Sequence, residues 1–151
     1  ALVAEPFDKG RFHCQVVYEE ELALITAQGH AAIRGATDLQ GQTLVVFPKG
    51  CSYRRRLSEW LMEEGVSPGR MLEFGSCHAI VACVAAGMGI GIISAELLDR
   101  AVLGADVQRH RLPGKLRTNR THLVWSGDTT PPLQALMDLL PTPKKQRRVN
   151  A

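Results

Sequence analysis

The segment Phe74–Ser94, FGSCHAIVACVAAGMGIGIIS, constrains this chain more than any other. It reads as a strand end, a turn, an apolar helix, a Gly-punctuated turn and a second buried strand. Gly75-Ser76 supplies the strand-to-helix turn, and Ser76 is a residue type suited to an N-cap. No residue from Ala79 to Ala86 is charged, so the helix is expected to be buried on most sides. Gly87, Gly89 and Gly91 end the helix and open the strand Ile90–Ser94. This is a βαβ unit, and such units build parallel sheets with ligand crevices at the strand C-termini. The glycines do not make a dinucleotide fingerprint. That motif follows a strand and opens a helix, whereas these follow a helix and precede a strand.

The remaining elements extend the same pattern. Gln15–Thr26 is expected to be extended, with Tyr18–Glu21 marking a turn or an exposed edge between two strands. Thr37–Gly41 reads as a short capped helical turn and Leu44–Phe47 as a buried strand. Ser52–Glu64 reads as a helix whose inward stripe is Tyr53, Leu57, Trp60 and Leu61, with Arg55–Glu59 as an i,i+4 pair. Gly65 and Pro68 stop it. Met71–Phe74, Val107–Leu112 and Thr121–Trp125 read as strands, Ala95–Arg100 as a helix, and Pro131-Pro132 as the opening of a last helix. The fold class is therefore α/β with a largely parallel sheet.

Charge and cysteine content exclude several functions. The chain has 151 residues and a net charge of +3. Lys144, Lys145, Arg147 and Arg148 lie in the final segment, residues 141–151, which reads as a basic disordered tail. Without those four, 14 basic residues face 15 acidic ones, which is no electrostatic footprint for DNA. No run of about 18 apolar residues exists to span a membrane. The start, ALVAEPFDKGRF, lacks the pattern of a signal peptide and reads as a strand caught in mid-domain, so an N-terminal portion is expected to be missing. Cys14, Cys51, Cys77 and Cys83 show no paired metal or redox spacing, which fits a reducing cytoplasm without disulfides, metal or cofactor.

Two helices are expected to start directly after strands, at Ser52 and Ser76. In a parallel sheet both starts lie at the strand C-termini, each with free N–H groups and about half a positive charge. Two such ends at one crevice make a carboxylate or oxyanion site, and the serine hydroxyls add donors. Lys49, Arg54 and Arg70 add positive charge nearby. The alternative is that each serine only caps its own helix. Cys51 and Cys77 sit at the same starts, where a helix N-terminus favours a thiolate, so a thiol-based redox sensor is a second reading. No nucleophile elbow or acid/base pair stands out, and no enzymatic role is expected, a solute-binding or enzymatic module on the same fold being the remaining alternative.

The chain resembles the C-terminal effector-binding domain of LysR-type bacterial transcriptional regulators. The resemblance is carried by ALVAEP, by Val16–His30, by Thr37–Leu61 and by the S-x-x-x-I-V-x-x-V-A-A-G-x-G-I-G core. It implies a two-lobed fold like that of type 2 periplasmic binding proteins. Residues 17–118 would form the second lobe, and residues 1–16 and 119–140 part of the first. It further implies a non-enzymatic sensor that binds a small effector between the lobes, forms a homo-oligomer, and contacts DNA through an absent N-terminal helix-turn-helix domain. The implied ligand-binding residues are Gly50, Cys51, Ser52, Ser76 and Cys77, with Ile93 on the following strand. A peroxide-sensing member of the family places its reactive cysteine near Cys51, but this chain has Trp60 where that member has its second thiol.

Overall fold

The computed structural model describes residues 1–100 and 106–141. The basic residues Lys144, Lys145, Arg147 and Arg148 lie outside the described residues. The chain divides into two compact units, residues 20–119 and residues 1–19 with those from 120 onward. It passes between them twice, along strands β2 (His13–Ala27) and β7 (Thr118–Trp125).

The larger unit is built on a sheet ordered β6-β2-β5-β3-β4, with β3 at Thr43–Val46, β4 at Arg70–Glu73, β5 at Ile90–Ser94 and β6 at Val107–Arg111. Strand β3 is parallel to both β4 and β5, while β2 is antiparallel to both β5 and β6. Four of the five strands therefore share one direction, as a largely parallel sheet requires. Helix α1 (Ser52–Glu63) joins β3 to β4 and α2 (Cys77–Ala85) joins β4 to β5.

Side-chain alternation decides which face each helix covers. Leu22, Leu24, Leu44, Val46, Ile90 and Ile92 point to one face and pack with Leu57 and Leu61 of α1. Ile25, Val45 and Ile93 point to the other and pack with Ile80, Val81 and Val84 of α2. The expected stripe of α1 is the buried one, with Tyr53 and Trp60 half-buried at its edges. The Arg55–Glu59 pair also forms, at 3.4 Å. Helix α2 is buried on one face only: Ala79, Ala82, Cys83 and Ala85 are half-buried, and His78 and Ala86 are exposed. A nine-residue helix laid on one face of a sheet has an outer side, whatever its composition.

The three glycines after α2 each meet a different demand. Gly87 has φ +78, the left-handed conformation that ends the helix. A Cβ on Gly89 would lie 2.4 Å from the Thr43 carbonyl oxygen, so β5 can approach β3 only without a side chain there. At Gly91 a Cβ would press on Val84, Ile25 and Ile80, so its absence seats α2 on the sheet. The structural reading of this motif is the one the fold uses.

The expected turn at Tyr18–Glu21 does not form. Strand β2 runs unbroken through those residues, although Tyr18, Glu19 and Glu21 are exposed, as an edge would be. A 3-10 turn, Ala36–Leu39, is held by Asp38, whose carboxylate accepts from the N–H groups of Arg34 (2.7 Å) and Gly35 (3.1 Å). Those two bonds hold the Asp38 carboxyl below its usual range. Helix α3 is Ala95–Arg100, and a short helix α4, Gly114–Arg117, precedes β7.

In the smaller unit, β1 (Leu2–Ala4) pairs antiparallel with β7, Leu2 opposite Leu123. His122, buried, lies 2.7 Å from the Glu5 carboxylate and edge-on to Phe7. Helix α5 (Pro131–Leu139) opens on its two prolines, as expected. It buries no residue among those described, and Leu139 is 84% exposed. Among the described residues no helix is long and apolar enough to cross a membrane.

Candidate functional site

The sheet brings the starts of α1 and α2 to one place. Val46, the last residue of β3, lies opposite Glu73, the last residue of β4, and the Phe74 N–H donates to the Val46 carbonyl (2.9 Å), extending the ladder one step. From this common edge α1 leaves over one face and α2 over the other. The two starts therefore straddle the C-terminal ends of neighbouring parallel strands, the position where open α/β sheets bind ligands. Gly50, with φ +101, makes the turn into α1.

The local chemistry leaves both starts unneutralised. Cys51 and Ser76 occupy the N-cap positions, and neither makes a side-chain capping bond. Neither first turn contains an acidic residue. The first N–H groups of a helix have no partner within it, so both ends keep their donors and their partial positive charge for something else. Ser52 is the first helical residue of α1, not its cap, so the alternative of two self-capping serines is not what the structure adopts. Gly50 and Ser76 are exposed, and Cys51, Ser52 and Cys77 half-buried. The Cys77 sulfur lies 3.4 Å from Nδ1 of His78.

Three expected contributors stand elsewhere. Ile93 is 1% exposed and belongs to the core under α2, because strand alternation turns it away from the α1 face. Arg54 is only 12% exposed and its guanidinium is occupied, 2.7 Å from the Glu73 carboxylate and 3.3 Å from the Phe47 carbonyl. Arg70 begins β4, opposite Thr43, and so lies at the far end of the sheet from the helix starts. Lys49 remains an exposed cation in the loop before α1.

The structure adds residues that the sequence did not single out. Tyr53, in the first turn of α1, stacks edge-on with Phe47 (5.8 Å between centroids), near the Glu20 carboxylate. Burial above all, then the Glu20 charge, pushes the Tyr53 phenol well above its usual range. Glu20 accepts from Nδ2 of Asn119 at 2.8 Å. Periodicity had marked Tyr53 as one more core residue, and the run Glu19–Glu21 had masked Glu20 as solvated charge. Among the described residues no group of three or more potential ligands is placed to hold a metal ion.

A sheet of this order, with two helices starting at the ends of neighbouring parallel strands, defines an open α/β module. Solved structures share its fold: the regulatory domain of Synechocystis PCC6803 CcmR in complex with 2-PG matches with a TM-score of 0.73 at 20% identity, over 91% of this chain and 69% of that one. The reduced regulatory domain of OxyR2 from Vibrio vulnificus matches with a TM-score of 0.71 at 17% identity, over 91% and 66%. A family model for the LysR substrate binding domain covers residues 1–142, and the chain belongs to that family. The HTH-type transcriptional regulator GltR of Bacillus subtilis is 34% identical over 139 residues, which are 91% of this chain and 47% of that protein. The HTH-type regulator SoxR of an Arthrobacter strain is 33% identical over 113 residues, 75% of this chain and 38% of that protein. The chain thus spans less than half the length of these relatives. The two-lobed α/β fold expected from the resemblance is the fold observed, and the chain is an effector-binding domain of the LysR type.

Proposed function

We propose that this domain senses a small anionic effector, a carboxylate or oxyanion, at the crevice formed by the starts of α1 and α2. Gly50, Cys51, Ser52, Ser76 and Cys77 hold it, through backbone N–H groups and the two serine hydroxyls. One observation carries this reading: two helix starts share one sheet edge, and neither has a capping side chain or a first-turn carboxylate. Effector binding changes the balance between conformations of a homo-oligomeric cytoplasmic regulator, whose DNA contacts come from a helix-turn-helix domain outside this chain. Such a change requires different effector affinity in the two conformations.

The test is a thermal-shift screen against small carboxylates, aromatic acids and inorganic oxyanions. A concentration-dependent rise in melting temperature, by mass action, is the expected result. No rise with any anion, for a demonstrably folded protein, would overturn the reading.

A thiol-sensing alternative draws on the Cys77–His78 contact and on Cys51 at the α1 cap position. Mass spectrometry after mild peroxide treatment decides it, and an unmodified Cys51 ends that alternative.

A further inference from the structure

The larger unit has a second concave surface, at the other end of α1 from the crevice. It is a cleft of about 350 Å3 whose lining includes Arg34, Trp60, Glu64, Arg111, Leu112 and Pro113. That volume lies within the range of about 300–1,000 Å3 usual for small-molecule clefts. All its residues belong to the unit of residues 20–119. At about 1.5 Å of rise per residue, Trp60 and Glu64 lie about 12 and 18 Å along the helix from Ser52, so the cleft is separate from the crevice.

Three segments meet to form it. The Ile33 N–H donates to Nδ1 of His110 at 3.1 Å, which sets the chain after Ile33 beside the end of β6. Arg34 follows Ile33 and Arg111 follows His110, so this bond brings two arginines to one rim. Ile33, Ala36 and Leu112 are buried in the same core that Trp60 of α1 packs against, which fixes the backbone on both sides.

The cleft keeps its donors free. Arg34, Glu64 and Arg111 are exposed, and Trp60 is half-buried. Arg54, Arg109, Arg117 and Arg120 each pair with a carboxylate. Among the described residues Arg34 and Arg111 have no ion pair, and the Trp60 indole has no hydrogen bond. Asp38 stands near Arg34, but its carboxylate accepts from the backbone N–H groups of Arg34 and Gly35. Guanidinium and indole N–H groups only donate, so the ligand that suits them is an acceptor. Among the lining residues two cations face one carboxylate, Glu64, which favours a single negative charge. Trp60, Leu112 and Pro113 supply apolar wall beside it.

We propose that this cleft binds a second small molecule, an aromatic monocarboxylate, independently of the crevice. Arg34 and Arg111 take its carboxylate, a group that the guanidinium fork matches in shape and charge. Its ring lies against Trp60, Leu112 and Pro113.

The test separates this cleft from the crevice. Isothermal titration is run on the full-length regulator carrying this chain, as wild type, Ser76→Glu, Arg34→Gln and Arg111→Gln. Ser76→Glu puts a carboxylate into the crevice. The arginines are exposed, so their glutamine variants remove charge without disturbing the core, whereas Trp60 packs on it. The probes are benzoate, 3-phenylpropionate and indole-3-acetate, each against its neutral amide, with acetate as the carboxylate without a ring. The expected result is at least one aromatic acid that binds tenfold or more tightly than its amide and than acetate. That binding should survive Ser76→Glu and weaken tenfold or more in Arg34→Gln and in Arg111→Gln. Binding that Ser76→Glu abolishes and both arginine variants keep belongs to the crevice, and overturns the second site alone. Binding of acids and amides alike, or of no aromatic acid, also overturns it.

Discussion

Gly89→Ala tests whether the glycines after α2 serve packing. The added Cβ would sit 2.4 Å from the Thr43 carbonyl oxygen and 3.0 Å from its carbon, whereas ordinary contacts begin at 3.4 Å. One atom or the other must yield about 1 Å. Thr43 has little freedom, because β3 is held between β4 and β5 and Thr43 itself is paired with Arg70. Strand β5 must therefore move, and it carries Ile90, Ile92 and Ile93, each no more than 1% exposed. Forcing extra volume into such packing costs about 1–3 kcal/mol. Losing one ladder hydrogen bond near Leu44–Ile90 adds about 1 kcal/mol. The sum, about 2–4 kcal/mol, is a large part of the 5–15 kcal/mol that typically holds a domain together.

Urea denaturation measures it. With a slope of about 1–3 kcal/mol per molar, the midpoint should fall by roughly 1–2 M. Gly114→Ala is the control: nothing lies within 4 Å of its Cβ and its φ is not left-handed. It should leave the midpoint unchanged or raise it by the equivalent of about 0.4–1 kcal/mol. A Gly89→Ala midpoint within about 0.3 M of wild type would refute the close-approach argument.

Ser76→Glu should separate binding from stability, because a carboxylate at the α2 start complements the helix dipole by about 0.3–1 kcal/mol yet competes with an anionic effector. A higher melting temperature with at least tenfold weaker anion binding is expected by titration. Leu57→Ala, fully buried between α1 and the sheet, should cost about 2–5 kcal/mol in urea unfolding. Leu139→Ala on the exposed side of α5 should change stability by less than about 0.5 kcal/mol. His110 provides the pH dependence. Its Nδ1 accepts from the Ile33 N–H (3.1 Å) and its Nε2 faces the Thr26 hydroxyl (2.8 Å), so the fold holds it neutral. Burial first, then His30, lowers its pKa below 6.5. Its contribution is fully present above about pH 6.5 and is lost as pH falls through the lowered folded value, because the unfolded chain takes up the proton first. Urea midpoints at pH 7.5 and 5.5 should show this loss, and a His110→Gln variant should show less of it.

The fold was legible wherever hydrophobic period and punctuation agreed. Leu57 and Leu61 announced the buried stripe of α1, and Gly87 and Gly65 marked turns that only a left-handed residue makes easily. The misreadings have physical causes. Glu19, Glu20 and Glu21 look like a turn because local composition favours water, but β2 continues through them, with Glu19 bonded to Arg120 and Glu20 to Asn119. The apolar run of α2 predicted burial on most sides, yet a helix on one sheet face exposes its far side.

The site was half legible, for a reason that bears on how it works. Helix starts after strands leave a local signature, a small polar residue behind a β-branched run, and Gly50–Ser52 and Ser76–Cys77 carry it. Arg54 looked like part of the site by proximity, but Glu73 at the end of β4 already holds it. The bond between Asn119 and Glu20 leaves no such signature, because its two residues lie 99 apart in the chain and meet only through the fold.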